Sequence, residues 1–219
     1  MGVLAQAIAR VEARQMPSRI ASPIRELFRK IAPNFGPARR LVFADAALFA
    51  PLIKRVMLSS PETAAMIRTT TAPTMISGGV KPNVLASRAT AVINFRLLPG
   101  DTAKDVVNHV ADAVGDGRVK IKVLTYSPAS TVAPIESPGF ELITDCIRRH
   151  YPDAVVAPYL VMGGTDSKML EPLASGVYRF TPCRLAQKDV ARMHGVNERA
   201  SIEDIERAVG FFKTLIAGA

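Results

Sequence analysis

The sequence is poor in several residue types, and each shortage argues against a class of protein. Tryptophan is absent and all aromatics make up 6% of the 219 residues, so the interleaved basic and aromatic side chains typical of nucleic-acid binding are not indicated. The only two cysteines, Cys146 and Cys183, lie far apart and predict reduced, partly buried thiols rather than a metal cluster. No apolar run approaches the ~20 residues that cross a bilayer. We therefore expect neither a nucleic-acid nor a membrane partner.

A secretory pattern is also lacking, because arginines follow the first helical residues and no small-residue cleavage site is found. The expected location is cytoplasmic. The chain is 48% hydrophobic and carries 28 basic against 19 acidic residues, a net charge of +9. The basic residues are scattered rather than clustered, which favours attraction of an anionic small substrate.

The first part of the chain has the pattern of a two-layer α/β domain. Apolar spacing predicts a helix over 2–14, and prolines break a helical insertion of about 17–65 into short helices at 22–31 and 45–59. Alternating residues then predict strands at 69–76, 89–97 and 119–126, with a capped helix at 103–114 before the last strand. The order resembles a ferredoxin-like split β-α-β sandwich without its first strand. This domain is predicted to cover residues 1–127.

Residues 128–219 are predicted to form a second α/β segment. Helices are expected at 138–149 and 202–216, the latter with Ile202, Ile205, Val209, Phe212 and Leu215 on its buried side. Strands are expected at 155–160 and 176–180. These elements are too few to close a sheet by themselves.

His194 is the candidate metal ligand of this segment. Imidazole is a common zinc ligand, and a histidine in a loop before a helix can be aimed at a metal by its neighbours. The alternative is an ordinary polar loop residue. Glu198 could be a second ligand, or could orient the loop. His109 and His150 have helical surroundings that predict a surface ion pair and a contact with helix-terminal carbonyls.

Three further positions could bind an anionic group. Gly163, Gly164 and Thr165 follow an apolar run and precede a helical turn, so their backbone N–H groups could bind a carboxylate, or the turn could simply cap the helix. Asn83 is expected at the start of a strand. Arg96 interrupts an apolar strand, where burying an unpaired guanidinium would be costly. An acidic neighbour or an anionic ligand would each satisfy it.

Three separated segments together resemble one family. The segment RTTTAPTMISGGVKPNVLASRATAVINFRLLPGDT (68–102) is similar to the lid domain of metallopeptidase family 20, in the branch of the Gly-X carboxypeptidases, which are related to aminoacylase and acetylornithine deacetylase. GGTDSKML (163–170) and MHGVNERASIEDI (193–205) resemble its C-terminal catalytic motifs. The insertion resembles the longer lid of that branch. The resemblance implies an α/β fold, in which this lid (dimerisation) domain is joined to the C-terminal part of a zinc-peptidase catalytic domain.

By position, the resemblance implies that His194 is a metal ligand, that Asn83 and Arg96 contact the substrate, and that Gly163, Gly164 and Thr165 line its pocket. Enzymes of this family hold two zinc ions, and a glutamate acts as general base on an amide carbonyl. That glutamate and the other zinc ligands would lie upstream of Met1, so this chain holds no catalytic residue of its own. One imidazole binds zinc weakly.

The implied activity is hydrolysis of peptide or N-acyl amino acid bonds by a zinc amidohydrolase, in a substrate with a free carboxylate. The isolated chain is expected to be inactive and to retain no zinc. A homodimer or a complementing N-terminal half would be its partner. The alternative is a non-catalytic module, derived from the lid, that dimerises or binds a partner through an unpaired strand edge.

Overall fold

A computed structural model describes residues 1–161, 163–186, 189, 192–193 and 195–219. The chain divides into two compact units, which cover Met1–Thr131 and Val132–Ala219. Both units contain helices, and the first also contains a two-stranded antiparallel sheet. The predicted mixed α/β class is confirmed.

The helices of the first unit begin largely at prolines. Proline lies at the first or second position of four of them. A backbone N–H at these positions has no acceptor within the helix, so proline, which lacks an N–H, costs no helical hydrogen bond there. The prolines that break the sequence pattern are therefore helix starts. The elements in chain order are α1 (Gly2–Ala13), α2 (Ser22–Ile31), α3 (Pro37–Ala44), α4 (Ala50–Met57), α5 (Pro61–Ala65), β1 (Thr70–Gly78), β2 (Ala89–Arg96) and α6 (Ala103–Val114).

The predicted helix at 45–59 is wrong in its first turn. Asp45 ends α3 instead of starting a helix, and its Oδ1 accepts a hydrogen bond from the Leu48 backbone N–H at 3.0 Å. This side chain stabilises a turn between α3 and α4, as aspartate commonly does outside helices.

The two strands form an antiparallel hairpin that runs from Thr70 opposite Arg96 to Gly78 opposite Ala89. The register shifts between Pro73 and Met75, so Thr74 is the extra residue of a β-bulge. Pro73 has no N–H to donate to the partner strand, and a β-bulge on an edge strand is a position where this missing hydrogen bond is tolerated.

The core of the first unit lies between the hairpin and two helices. The buried residues come from α1, α6 and the turn after α1 (Ala7, Val11, Met16, Val106, Val110, Val114). Ile93 and Phe95 of β2, and Leu97 just after it, pack against them. Because side chains alternate along a strand, the opposite face of β2 stays exposed at Asn94 and Arg96.

The strand predicted at 119–126 is wrong. These residues have no regular secondary structure, although their apolar and polar side chains alternate. Val119 packs against the core, whereas Val123 and Leu124 are exposed. A strand requires a neighbour for its N–H and C=O groups, and within the described ranges the sheet consists of β1 and β2 alone.

The second unit is built on two helices. Helix α7 (Pro138–His150) packs against α8 (Ile202–Ala217), and a 3₁₀ segment covers Asp166–Leu173. Cys146, Ile147, Tyr151 and Phe211 form the core. The strands predicted at 155–160 and 176–180 are wrong, because neither segment is part of a ladder. Among the described residues, none of the helices combines the length and apolarity that a membrane span requires.

The side of α8 that faces the core differs from the prediction. Phe211 is fully buried and Leu215 packs against the core as predicted, whereas Ile202, Ile205, Val209 and Phe212 are exposed. Helix α8 thus has two apolar sides, and the sequence pattern could not decide which of them packs against α7.

Candidate functional site

The two candidate residues of the first unit lie at opposite ends of the hairpin. Asn83 is exposed in the turn that joins the strands, not at the start of β2 as predicted. Arg96 is the last residue of β2, opposite Thr70. A strand advances ~3.3 Å per residue, so Ala89 and Arg96 are about 23 Å apart. One small carboxylate cannot contact Asn83 and Arg96 of the same chain.

The side chain of Arg96 is exposed, so the cost of burying its charge, from which either an acidic neighbour or an anionic ligand was predicted, does not arise. The pattern was misleading because the apolar residues around Arg96 belong to the face that packs on the helices. What remains is a cation at the edge of the solvent-facing side of the sheet.

A partly buried polar cluster near the end of β2 was not predicted. Arg19 donates from Nη1 to Asp101 Oδ1 at 2.5 Å and from Nη2 to the Pro99 carbonyl at 2.6 Å. Thr69 is fully buried, donates from its hydroxyl to the Asp101 carboxylate, and accepts a hydrogen bond from the Leu98 N–H at 2.8 Å. The cluster joins the segment after α1 to the residues just before β1 and just after β2, which lie at the open end of the hairpin. Because its members lie up to 82 residues apart, no local motif indicates it.

Beside this cluster is an open cleft of about 270 Å³ (Met16, Pro17, Arg19, Asp101, Asp105, Asn108, His109, Asp112). Two of its carboxylates already have structural partners. Asp101 binds Arg19 and Thr69, and Asp105 completes the capping box of α6 with Thr102. The hydrogen bonds from the Thr102 side chain and backbone lower the pKa of Asp105. These contacts give Asp101 and Asp105 a role in stability that requires no ligand.

The Gly163–Thr165 loop leads into the 3₁₀ segment of the second unit. Both glycines are exposed and have room for a Cβ, and neither has a positive φ, so the turn does not require glycine. Thr165 occupies the N-cap position without making the capping hydrogen bond. The Thr165 hydroxyl instead accepts from Arg179 Nε at 3.3 Å and pairs with the Ser167 hydroxyl. The loop therefore exposes the backbone of Gly163 and Gly164 next to the Thr165 hydroxyl, which is held by Arg179.

Two adjacent side chains tether the segment 176–180. Arg179 donates from Nη2 to Glu171 Oε1 at 2.8 Å, and both side chains are mostly buried. The Tyr178 hydroxyl lies 2.5 Å from the hydroxyl of Ser137, which caps α7, and donates to the Pro134 carbonyl. The candidate loop is thus held to the helical part of its unit by side chains rather than by a sheet.

His194 lies outside the described residues, as do Met162, Gln187, Lys188, Val190 and Ala191. The other two histidines have structural partners. His109 Nε2 lies 2.7 Å from the Arg14 carbonyl, and His150 Nε2 lies 2.9 Å from the Thr214 hydroxyl. The predicted ion pair of His109 and the predicted carbonyl contact of His150 are replaced by these tertiary hydrogen bonds.

The described residues do not fit a dinuclear zinc site. They contain no cluster of three or more histidine, cysteine, aspartate or glutamate side chains that could surround a metal ion. Cys146 is buried in the core of the second unit and Cys183 is partly exposed, both as free thiols. No catalytic step through a metal can be derived from these residues.

Comparison with known proteins gives a consistent result. Residues 2–121 match the M20 peptidase dimerisation domain. The chain is 37% identical over 218 residues to the N-fatty-acyl-amino acid synthase/hydrolase PM20D1 of Xenopus tropicalis, covering 99% of this chain and 43% of the relative. It is 36% identical over 217 residues to the probable carboxypeptidase S-like 2 of Dictyostelium discoideum, covering 99% of this chain and 42% of the relative.

Human PM20D1 is 35% identical over 223 residues, covering 100% of this chain and 44% of the relative. No solved structure matches the chain. The chain spans less than half the length of these curated relatives. Because the domain match covers more than half of the chain, and the relatives align with almost all of it, the chain belongs to the M20 peptidase family and carries the dimerisation domain of that family.

Proposed function

We propose that the chain is the lid-bearing portion of a zinc-dependent amidohydrolase that cleaves peptide or N-acyl amino acid amide bonds. The observation that carries this proposal is the match of 35–37% identity over nearly the whole chain to relatives named as a synthase/hydrolase of N-fatty-acyl amino acids and a probable carboxypeptidase. The substrates in both names are compounds with a free carboxylate. A net charge of +9 is suited to attracting such anions.

In this proposal the chain contributes His194 as a metal ligand, and the general base and the other ligands come from protein outside this chain. His109 and His150 already form hydrogen bonds inside the protein, so we do not assign a metal to either of them. A single imidazole holds zinc weakly, so the isolated chain should be inactive. When bound, zinc would polarise the amide carbonyl and activate water.

Each unit, taken by itself, carries groups whose chemistry suits a carboxylate. The first unit has the exposed, cationic Arg96, and the second has the exposed backbone of Gly163 and Gly164 beside the Thr165 hydroxyl. Asn83 lies at the other end of the hairpin from Arg96, so it would contact a different part of the substrate or act in a dimer. The dimerisation domain makes a homodimer the expected assembly, and a cytoplasmic location stays a prediction.

The second candidate is a non-catalytic module that dimerises or binds a partner. Both hairpin strands have an outer edge outside the β1–β2 ladder, and such edges can pair with a strand of another chain. In that case the metal-binding role of His194 would be lost while the association is kept.

A chimera separates the two candidates. This chain replaces the aligned segment of the Xenopus relative, and release of a fatty acid from an N-fatty-acyl amino acid is measured with zinc present. We expect an active chimera, loss of activity with His194→Ala, and little change with His109→Ala. A folded, zinc-loaded but inactive chimera would support the module instead. Stoichiometric zinc bound by the isolated chain would contradict the proposal that this chain supplies only one of the zinc ligands.

A further inference from the structure

The insertion between α1 and β1 exposes an apolar surface that its own packing does not use. We call Leu41, Leu48, Leu52 and Val56 the insertion surface. All four side chains are exposed, Leu48 by 70% and Val56 by 62%. Leu52 and Val56 lie one turn apart on α4, and Leu48 lies in the turn that precedes this helix.

The insertion surface is additional to the residues that hold the insertion together. Helix α4 buries Ile53 and Met57 instead. On α3, Phe43 stacks on Phe28 at 5.0 Å between ring centroids and meets Phe35 edge-on at 5.2 Å. The buried residues of α4 and the stacked phenylalanines therefore supply the internal contacts of the insertion. The leucines and the valine of the insertion surface are exposed to solvent instead. Surface leucines are common singly, but an exposed group of large apolar side chains indicates a binding surface.

The charges around the insertion surface are almost all positive. Residues 37–58 contain Arg39, Arg40, Lys54 and Arg55 but Asp45 as their one acid, and Asp45 is engaged with the Leu48 N–H. Arg55 is exposed between Leu52 and Val56, and both Arg39 and Arg40 are exposed beside Leu41. Long basic side chains next to leucines can keep their charge in water while their stems lie on an apolar phase.

From this combination we propose that the insertion surface docks on an anionic lipid–water interface. Leucines facing the acyl boundary with Lys and Arg at the headgroups are the arrangement of interfacial helices. A second copy of the surface would bring the same positive charges face to face, which opposes pairing. Nucleic acid would leave the leucines unused. The sequence-based expectation of no membrane partner rested on the lack of a spanning run, and interfacial docking needs none.

Flotation of the purified chain with vesicles tests the proposal. Vesicles of equal parts phosphatidylglycerol and phosphatidylcholine should bind the chain, and pure phosphatidylcholine should bind it much less. Leu52→Glu combined with Val56→Glu should weaken binding at least tenfold. The matched control is Ile202→Glu combined with Ile205→Glu, two exposed positions on α8, which should change binding little. Arg39→Ala with Arg40→Ala should weaken binding to the anionic vesicles about thirtyfold, at ~1 kcal/mol for each basic residue.

Failure of the wild-type chain to float with anionic vesicles would overturn the proposal, as would equal losses for the α4 and α8 double variants. If light scattering showed that Leu52→Glu with Val56→Glu lowers the mass of an oligomer, the occupant would be a second copy and the proposal would fall. The readout is independent of amide hydrolysis, so this result and that of the chimera can fail separately.

Discussion

The two units use their apolar residues differently. In the first, β2 and two helices enclose a core, and a polar cluster of Arg19, Asp101 and Thr69 fixes the chain on both sides of the hairpin. In the second, two helices share a core around Phe211, and α8 leaves a second apolar side exposed. The comparison indicates that the first unit builds its core from a strand and two helices, whereas the described part of the second builds its core from two helices. Both units leave apolar side chains exposed, on the insertion surface in the first and on the second side of α8 in the second.

The presence of a pairing partner explains which strand predictions succeeded in both units. The sequence of β2 alternates, and β1 lies opposite it to accept its hydrogen bonds. The segments 119–126, 155–160 and 176–180 were predicted from similar patterns, yet none has a ladder partner among the described residues. Alternation predicts which way side chains point if a strand forms, but the partner decides whether it forms.

The largest effect is expected where the second unit depends on one side chain. Phe211→Ala should lower the free energy of unfolding of this unit by about 3–5 kcal/mol, because it leaves a cavity between α7 and α8. The matched control is Phe212→Ala, at the exposed neighbour, with a loss of about 1 kcal/mol or less. Hydrogen exchange of α7 and α8 measures both. Equal losses would mean that the second apolar side of α8 is buried in solution, which would remove the contrast between the units.

A smaller effect is expected in the first unit from its polar cluster. Asp101→Ala leaves the buried Thr69 hydroxyl and the Arg19 guanidinium without their acceptor, and should cost about 1–3 kcal/mol of unfolding free energy. Hydrogen exchange of α6 and the hairpin reports it. Asp153→Ala in the second unit removes an exposed pair with Arg184 at 4.0 Å and should cost at most about 1 kcal/mol. If the two variants behaved alike, the cluster would not be what fixes the hairpin.

The smallest effect concerns acid stability. Side-chain and backbone hydrogen bonds from Arg118 lower the pKa of Asp116 from 3.8 to about 2. This stabilisation is therefore fully present above pH 3.8 and is lost as the pH falls through about 2. Asp116→Asn should make the unfolding free energy of the first unit less sensitive to pH in this window. The pKa of Asp204 is lowered chiefly by its hydrogen bond with Ser201, so Asp204→Asn should do the same for the second unit. A carboxyl titration by NMR that finds Asp116 at its ordinary pKa would contradict this.

The sequence predicted helices well because their signals are local. Helix α6 is preceded by Thr102, which forms a capping box with Asp105, and α7 begins at Pro138 as predicted, after the capping residue Ser137. Sites depend on distant contacts. The spacing around His109 indicates a surface pair, but the partner is the carbonyl of Arg14, 95 residues away. The roles of His194, Asn83, Arg96 and the Gly163–Thr165 loop stay predictions, because they derive from the family resemblance and not from geometry.

The turn that joins the two strands has a practical consequence. Residues 79–88 connect β1 to β2, and within this connection Val80 is 94% and Leu85 97% exposed. A protease that cuts at these side chains would sever the chain but leave eight pairs of residues facing each other along the hairpin. The two products should then stay associated and migrate as one species until denatured. The same place in the chain could serve to divide the protein into two separately expressed, self-assembling halves.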